Sequence, residues 1–422
     1  VKLTFFNPST GSSKEIFKDY KPYFFLPYPL SYKDRKVLDD LKTKTTVKEK
    51  KDFFSEKKIK VTHVETDGDY NYKLIKRIFD NSWESEVPPI LSYVYDSNLN
   101  FGVQYTIQDE QIVPNFSIPE TIKQRFEERF SPLKNTDFNK YSLLKKWFIL
   151  CSQPIPQTFH EQLTKDNKKP LDQEQYYLTF ILSRIANIPL PLAKANRQVS
   201  FWIRSIFHNY LRRNNILIPT SKELKKGETK KSVQGALTFL PKTGVYFNTV
   251  VVDFESLYPS LIDNYNLSYE TIDCLHQECK KNKIPGVKHH VCQQKRGVYA
   301  HLIGAIKDLR IHWYKPLAKD KTISHQERKL AQATSQLLKL ILVSSYGVTI
   351  RIHGLARPSL AESITAYGRY SLQTTWDLAE KGSLDPIYGD TDSLFLDNPK
   401  EEQIEWLITT VKNRLRLDLA VD

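Results

Sequence analysis

A chain of 422 residues that is 40% hydrophobic and 12% aromatic is too apolar to be disordered and too long for one core, so about two to four domains are expected. No apolar run reaches bilayer length and no secretory leader opens the chain, which reads as a soluble intracellular protein without a membrane partner. The formal net charge of +14 favours a polyanionic partner, because Lys and Arg release condensed counterions on meeting phosphate, although a Lys-rich surface also serves solubility alone.

Up to about Phe116, apolar clusters alternate with turn residues. Lys2 to Phe6 and Lys60 to Val64 read as strands, and the Lys-rich run from Lys42 to Lys58 as a solvated face or loop. Between Ile118 and Lys194 the apolar spacing predicts helices over Ile118 to Phe130, Tyr141 to Cys151 and Gln173 to Ile185. Pro154, Pro156 and Pro170 punctuate them, and Lys165 to Lys169 form an exposed linker. Ala195 to Arg213 reads as a basic, aromatic-rich helix, and the β-branched run Val245 to Phe254 as a buried strand. Val298 to Leu317 and His325 to Ser345 read as two long amphipathic helices joined by Ala318 to Ser324, a helical hairpin. Pro386 to Leu396 reads as an apolar strand pair interrupted by Gly389, Asp390, Thr391 and Asp392, and no internal repeat is present.

Three segments carry chemistry. Asp253-Phe254-Glu255-Ser256-Leu257-Tyr258-Pro259-Ser260 ends a buried strand with a carboxylate, where an unpaired charge is unfavourable; a plain helix cap is the bland alternative. Tyr388-Gly389-Asp390-Thr391-Asp392-Ser393 presents two carboxylates at a hairpin tip in an apolar frame. An ordinary turn would look similar, but paired acids also suit a hard cation such as Mg²⁺. Lys339 followed by Ser344, Ser345, Tyr346 and Gly347 could face a triphosphate, although a lone helical Lys is usually solvated.

In this order and at domain-scale separation, the three segments resemble motifs A, B and C of the family B DNA polymerases. Asn264 to Thr271 and Ala361 to Tyr370 add to the likeness, which is strong from about Asn196 to Asp422 and weak before it. The resemblance implies an α+β multidomain, right-hand polymerase. Residues 1–117 are then an N-terminal mixed α/β domain and 118–195 a reduced exonuclease-like region. Residues 196–296 and 348–422 form the palm, an antiparallel sheet plus helices, and 297–347 the helical-hairpin fingers. A thumb is expected outside this chain.

The resemblance also implies a site. Asp253 and Asp392 hold two Mg²⁺ ions with Asp390 in support. Arg310, Lys339 and Tyr346 contact the incoming nucleotide, and the amides of Ser256 and Leu257 cradle phosphate. Tyr258 excludes a ribose 2′-hydroxyl, which disfavours an RNA-making enzyme. Primer–template DNA and deoxynucleoside triphosphates are the implied partners, with a sliding clamp or accessory subunit besides, in the cytoplasm of an archaeal cell.

Three departures qualify the match. Val343 stands where the family carries Asn, and Val233-Gln234-Gly235-Ala236 lacks the Tyr of a short element that precedes the palm. Between Ser117 and Lys194 no set of converging acidic motifs appears, so no 3′–5′ exonuclease is expected. This is similar to archaeal paralogues with a reduced exonuclease region, some linked to lesion bypass and repair. A structural or regulatory subunit that binds primed DNA is the alternative.

Four cysteines are too few for a disulfide scaffold. Cys151 stands alone. Cys274, Cys279, His290 and Cys292 are a candidate zinc set, with His276 and His289 close in sequence; reduced thiols or a disulfide are the other readings.

Overall fold

The computed structural model describes residues 1–7, 9–66, 74, 77–79, 81–108, 111–160, 171–195, 198–228 and 233–422. The expected linker Lys165 to Lys169, Pro170 and Asn196 lie outside the described residues. Two compact units emerge, Val1–Glu223 with Leu309–Lys339, and Leu224–Asp308 with Leu340–Asp422.

In the first unit, β1 (Lys2–Phe6) and β2 (Ser13–Phe17) form a hairpin, and β3 (Tyr23–Pro27), β4 (Thr45–Lys51) and β5 (Lys58–Glu65) an antiparallel sheet in the order β3-β5-β4. β6 (Tyr105–Gln108) and β7 (Gln111–Pro114) form a second hairpin. The Lys-rich run is largely solvated as expected, but part of it is ordered as β4. Its Thr-Thr-Val start favours extension, and it lies at a sheet edge, where lysines discourage further strand pairing. Helix α1 (Tyr32–Asp40) starts at Ser31, whose hydroxyl accepts the Asp34 N–H at 3.0 Å, and its Leu38 packs with Phe24, Leu26 and Val64 of the sheet.

The rest of this unit is mostly helical: α2 (Pro89–Asp96), α3 (Glu120–Phe130), α4 (Phe138–Cys151), α5 (Gln173–Ala186) and α6 (Val199–Arg213). Residues spaced one turn apart build the joints. Phe126 of α3 stacks on Phe148 of α4 with centroids 4.1 Å apart and planes 13° apart. The buried Arg184 of α5 donates to the carbonyls of Gly102, Gln153 and Pro154 at 2.7, 2.8 and 3.0 Å, which satisfies a guanidinium that burial alone would destabilise. Arg212 of α6 meets Glu84 at 2.6 Å and Asp96 at 3.0 Å.

In the second unit, a five-stranded antiparallel sheet runs in the order β12-β9-β11-β10-β8: β8 (Thr238–Phe239), β9 (Thr249–Phe254), β10 (Asp385–Asp390), β11 (Ser393–Asp397) and β12 (Leu419–Val421). The strand expected from Val245 starts only at Thr249. Its partner β11 ends with Asp397 opposite Thr249, so Val245 and Phe247 have no ladder to join and stand exposed. Helices α7 (Leu257–Asn264), α10 (Pro358–Lys381) and α11 (Glu401–Leu415) complete this unit, together with α8 (Val298–Leu309) up to Asp308 and α9 (His325–Arg351) from Leu340. α10 packs on β10 and β11 and touches α7 and α11.

The first helix of the expected hairpin is not uniform. After Leu309 it widens into a π turn at Arg310–Tyr314 and resumes as one short turn, Lys315–Leu317. Pro316 explains this: it has no N–H, and its ring crowds the carbonyl four residues back. The second helix starts from a reciprocal cap between Ser324 and Glu327 and runs beyond the expected Ser345 to Arg351. Among the described residues, no helix is long and apolar enough to cross a membrane.

Candidate functional site: a carboxylate cluster on the five-stranded sheet

In β9, Val252 and Phe254 point into the core, so the two-residue strand period turns Asp253 to the other face. Asp253 pairs across the sheet with Ser393 of β11 on one side and Ala420 of β12 on the other. The β10–β11 turn is tight. Thr391 takes a left-handed conformation with φ of 53°, and the Asp392 N–H donates to the Asp390 carbonyl at 2.6 Å. The Asp392 carbonyl accepts the Phe254 N–H at 2.9 Å, which holds the hairpin tip against the end of β9. The expected carboxylates Asp253, Asp390 and Asp392 therefore gather at one end of one sheet. Asp390 is anchored by hydroxyls, accepting from Thr238 at 2.9 Å and from Thr391 at 3.1 Å.

The electrostatics are those of an anionic cluster. Burial, followed by the charges of Asp392 and Asp422, pushes the Asp253 carboxyl up to about 6. Burial and the charge of Asp390 likewise raise Asp392, against a backbone hydrogen bond that lowers it. Among the described residues, none of the three expected carboxylates has an ion pair with Lys or Arg. Asp422 was not foreseen. It reaches Asp253 only because β12 returns beside β9, where its N–H donates to the Val251 carbonyl at 3.0 Å.

Ser256 caps α7 in a left-handed conformation with φ of 55°, which turns the chain sharply after β9. The N–H groups of Ser256 and Leu257 open that helix, where no preceding turn supplies carbonyls. The rings of Tyr258 and Tyr346 lie 4.7 Å apart, and burial, the Tyr346 phenol and the charge of Asp392 push Tyr258 up to about 12. Arg369 of α10 is a second residue not foreseen. Its Nη1 donates to the carbonyls of Gln234 and Gly235 at 3.1 and 2.7 Å, while the Thr365 hydroxyl donates to Gln234 at 2.7 Å. These contacts hold the short 233–236 element on α10 without its expected tyrosine. Arg310 opens the π turn, and Lys339 lies exposed on α9; both belong to the first unit.

The candidate zinc set needs one correction. His290 is turned from the sulfurs: its Nε2 lies 3.2 Å from the Cys274 carbonyl and its Nδ1 3.2 Å from Asp273. His289 is held between Asp273 at 2.6 Å and Glu362 at 3.1 Å. The imidazole that joins the thiols is His276, whose Nδ1 lies 3.3 Å from the Cys292 sulfur. Cys274, His276, Cys279 and Cys292 bring one donor atom each to within 4.8 Å of one another.

The second unit thus gathers three carboxylates at one end of an antiparallel sheet, beside the start of a helix. Residues 193–413, more than half of the chain, match the model of DNA polymerase family B, and the chain belongs to that family. DNA polymerase 1 of Sulfolobus acidocaldarius is 42% identical over 260 residues, covering 58% of this chain and 29% of that protein. DNA polymerase 1 of Aeropyrum pernix is 30% identical over 302 residues, covering 67% of this chain and 31% of that protein. The chain thus spans 29–31% of the length of these curated relatives. Its fold is similar to the structure of the family B DNA polymerase from the hyperthermophilic archaeon Pyrobaculum calidifontis, with a TM-score of 0.66 and 16% identity, covering 100% of this chain and 75% of that one.

Proposed function

We propose that this chain carries the polymerase centre of a template-directed DNA polymerase that adds deoxynucleotides to a primer 3′ end. The observation that supports it most is the Asp253–Asp392 arrangement. The charge of Asp392 adds to burial in raising the proton affinity of Asp253, the charge of Asp390 does the same for Asp392, and among the described residues neither has a Lys or Arg counter-charge. All donors are oxygens, the chemistry that suits Mg²⁺. Asp253 and Asp392 would hold the two ions, with Asp390 positioned by its hydroxyl contacts. Bound there, Mg²⁺ supplies Lewis-acid stabilisation of the attacking 3′-hydroxyl and of the leaving pyrophosphate.

The remaining residues position and select. The open amides of Ser256 and Leu257 suit phosphate oxygens at a helix start. Tyr258, backed by Tyr346, closes the space beside the sugar and excludes a 2′-hydroxyl. Arg310 and Lys339 add positive charge for the triphosphate, and Tyr346 completes the nucleotide contacts. In this reading 196–296 and 348–422 are palm and 297–347 fingers, following residues 1–117 and the reduced region 118–195. Primer–template DNA and deoxynucleoside triphosphates are the partners, a clamp or accessory subunit a further one, and the archaeal cytoplasm and nucleoid the place. The reading includes no proofreading, supported by helices α3 to α5 and the absence of strands among the described residues of 118–195. Lesion bypass or repair is the corresponding role.

Primer extension with Mg²⁺, using the longest natural form of the chain, tests this. Extension abolished by Asp253→Ala and by Asp392→Ala, with no loss of primer ends in a nucleotide-free exonuclease assay, is the expected result. Tight binding to primed DNA without extension by the wild type would replace this reading with that of a structural subunit.

A further inference from the structure

We propose that Cys274, His276, Cys279 and Cys292 bind one Zn²⁺ ion, a structural centre in the loop between α7 and α8 and distinct from the carboxylate cluster.

The donor atoms are already placed for it. Zn²⁺ with bonds of about 2.3 Å to sulfur and about 2.1 Å to nitrogen sets tetrahedral edges near ~3.8 Å between sulfurs and ~3.6 Å between sulfur and nitrogen. The Cys279 and Cys292 sulfurs are 3.9 Å apart, and the Cys292 sulfur is 3.3 Å from His276 Nδ1. A disulfide requires sulfurs about 2.05 Å apart and uses only two of them, leaving a third thiol and an imidazole in the same cluster without a purpose.

The surroundings point the same way. The three cysteines form a buried cluster of their own, 8%, 0% and 3% exposed, rather than filling gaps among aliphatic side chains as inert thiols do. Backbone amides aim at sulfur: the Gln293 N–H donates to Cys279 at 3.4 Å, the Gln294 N–H donates to it as well, and the His276 N–H donates to Cys274. Such donors stabilise thiolates and orient metal-bound sulfur. Three thiolates and one imidazole are soft ligands that select zinc over Mg²⁺ or Ca²⁺, and four protein donors leave no open position, as in structural sites.

A cross-link is also useful here. The loop's strand pairing is limited to two isolated bridges, Ile272 with Val291 and Lys283 with His290. Asn266, just past α7, donates to the Cys292 and Lys295 carbonyls at 3.0 and 2.8 Å and accepts the Gly297 N–H at 2.7 Å before α8 begins. A metal that fixes Cys292 therefore also fixes the join between the helix after Asp253 and the root of α8.

The test is metal content of the tag-free protein by plasma mass spectrometry, with mercurial-driven release into a chromogenic chelator and Co²⁺ exchange on the wild type. One zinc per chain, released in step with thiol modification, and a sulfur-to-Co²⁺ charge-transfer band are expected. Cys279→Ser and His276→Ala should lose most of the metal, while Cys151→Ser and His290→Gln keep it. Folded wild-type protein with almost no zinc and no Co²⁺ band, or with an intact Cys279–Cys292 disulfide by mass, would overturn the proposal. So would loss of the metal in His290→Gln but not in His276→Ala. Because the Co²⁺ band is read on the wild type without DNA or nucleotide, the result holds even if a cysteine variant fails to fold, and it is independent of polymerase activity.

Discussion

Asp253→Asn should make the protein more stable and inactive at once. In the folded chain, burial and the charges of Asp392 and Asp422 push this carboxyl up to about 6, against an ordinary value of 3.8. A carboxyl with a raised folded-state pKa opposes folding wherever it must be ionised. The penalty is absent below about pH 3.8, grows through the window up to about 6, and is complete above it. A difference of this size is worth about 3 kcal/mol for a fully buried group. Asp253 is only half-buried, so screening leaves on the order of 1 kcal/mol. Neutralising it should raise the melting temperature by about 2 °C at pH 8, and the gain should vanish toward pH 4. Millimolar Mg²⁺ should stabilise the wild type and leave the variant unmoved, since the proposed site needs the Asp253 carboxylate and a ligand stabilises the folded state that binds it. Primer extension should fall about 1000-fold or more, because several kcal/mol of charge stabilisation are lost. Paired thermal melts at both pH values, with and without Mg²⁺, and extension assays supply the readouts. A variant less stable than wild type at pH 8, or one that extends primers within about tenfold of it, would refute the reasoning.

If Tyr258 selects the sugar as proposed, Tyr258→Ala should lower discrimination against ribonucleotides by about tenfold or more while Tyr258→Phe keeps it, because the ring that packs on Tyr346 is retained; single-nucleotide incorporation measures both. Gly304→Ala should destabilise the second unit by about 3 kcal/mol, read by chemical denaturation. Its Cβ would stand 2.4 Å from Asp263 Oδ1, and Asp263 cannot retreat because Arg296 and Lys307 grip it, the latter at 2.8 Å. The first unit should lose stability as pH falls from about 6.5 to 4. Burial and neighbouring cations lower His63 to about 4 and His208 to about 3, so the unfolded chain takes up protons that the folded one refuses. The contribution of His63 is complete above about 6.5 and lost through that window, on the order of 2 kcal/mol after screening, and His63→Gln should flatten the pH profile of denaturant midpoints.

The carboxylate site was legible because its signals are local. An acid that breaks an apolar β-branched run, as Asp253 does after Val252, and two acids inside an apolar hairpin, as at Asp390 and Asp392, conflict with simple burial. Helices α3 to α6 were legible from their apolar spacing, with ends set by residues such as Pro119 and Asp172. What escaped depends on contacts made elsewhere in the chain. Val245 and Phe247 have strand chemistry but no partner, since β11 stops opposite Thr249. Asp422 becomes relevant only through the β12–β9 pairing. His276 replaces His290 because Asp273 and the Cys274 carbonyl capture the latter's ring, and spacing along a loop cannot rank two histidines competing for the same thiols.

Val343 combines both kinds of information. The sequence shows only that an apolar residue stands where the family carries Asn. The structure adds that this side chain is 70% exposed on α9, so no core demands it. At exposed helix positions Val and Asn have similar propensities, and substitutions there usually change stability by less than about 0.5 kcal/mol. Packing therefore does not account for the departure, and folding would not have prevented retention of Asn. Val343 is therefore a feature of the surface that α9 presents, not of how α9 folds. In the proposed reading, Arg310, Lys339 and Tyr346 would carry the nucleotide contacts that Asn would share.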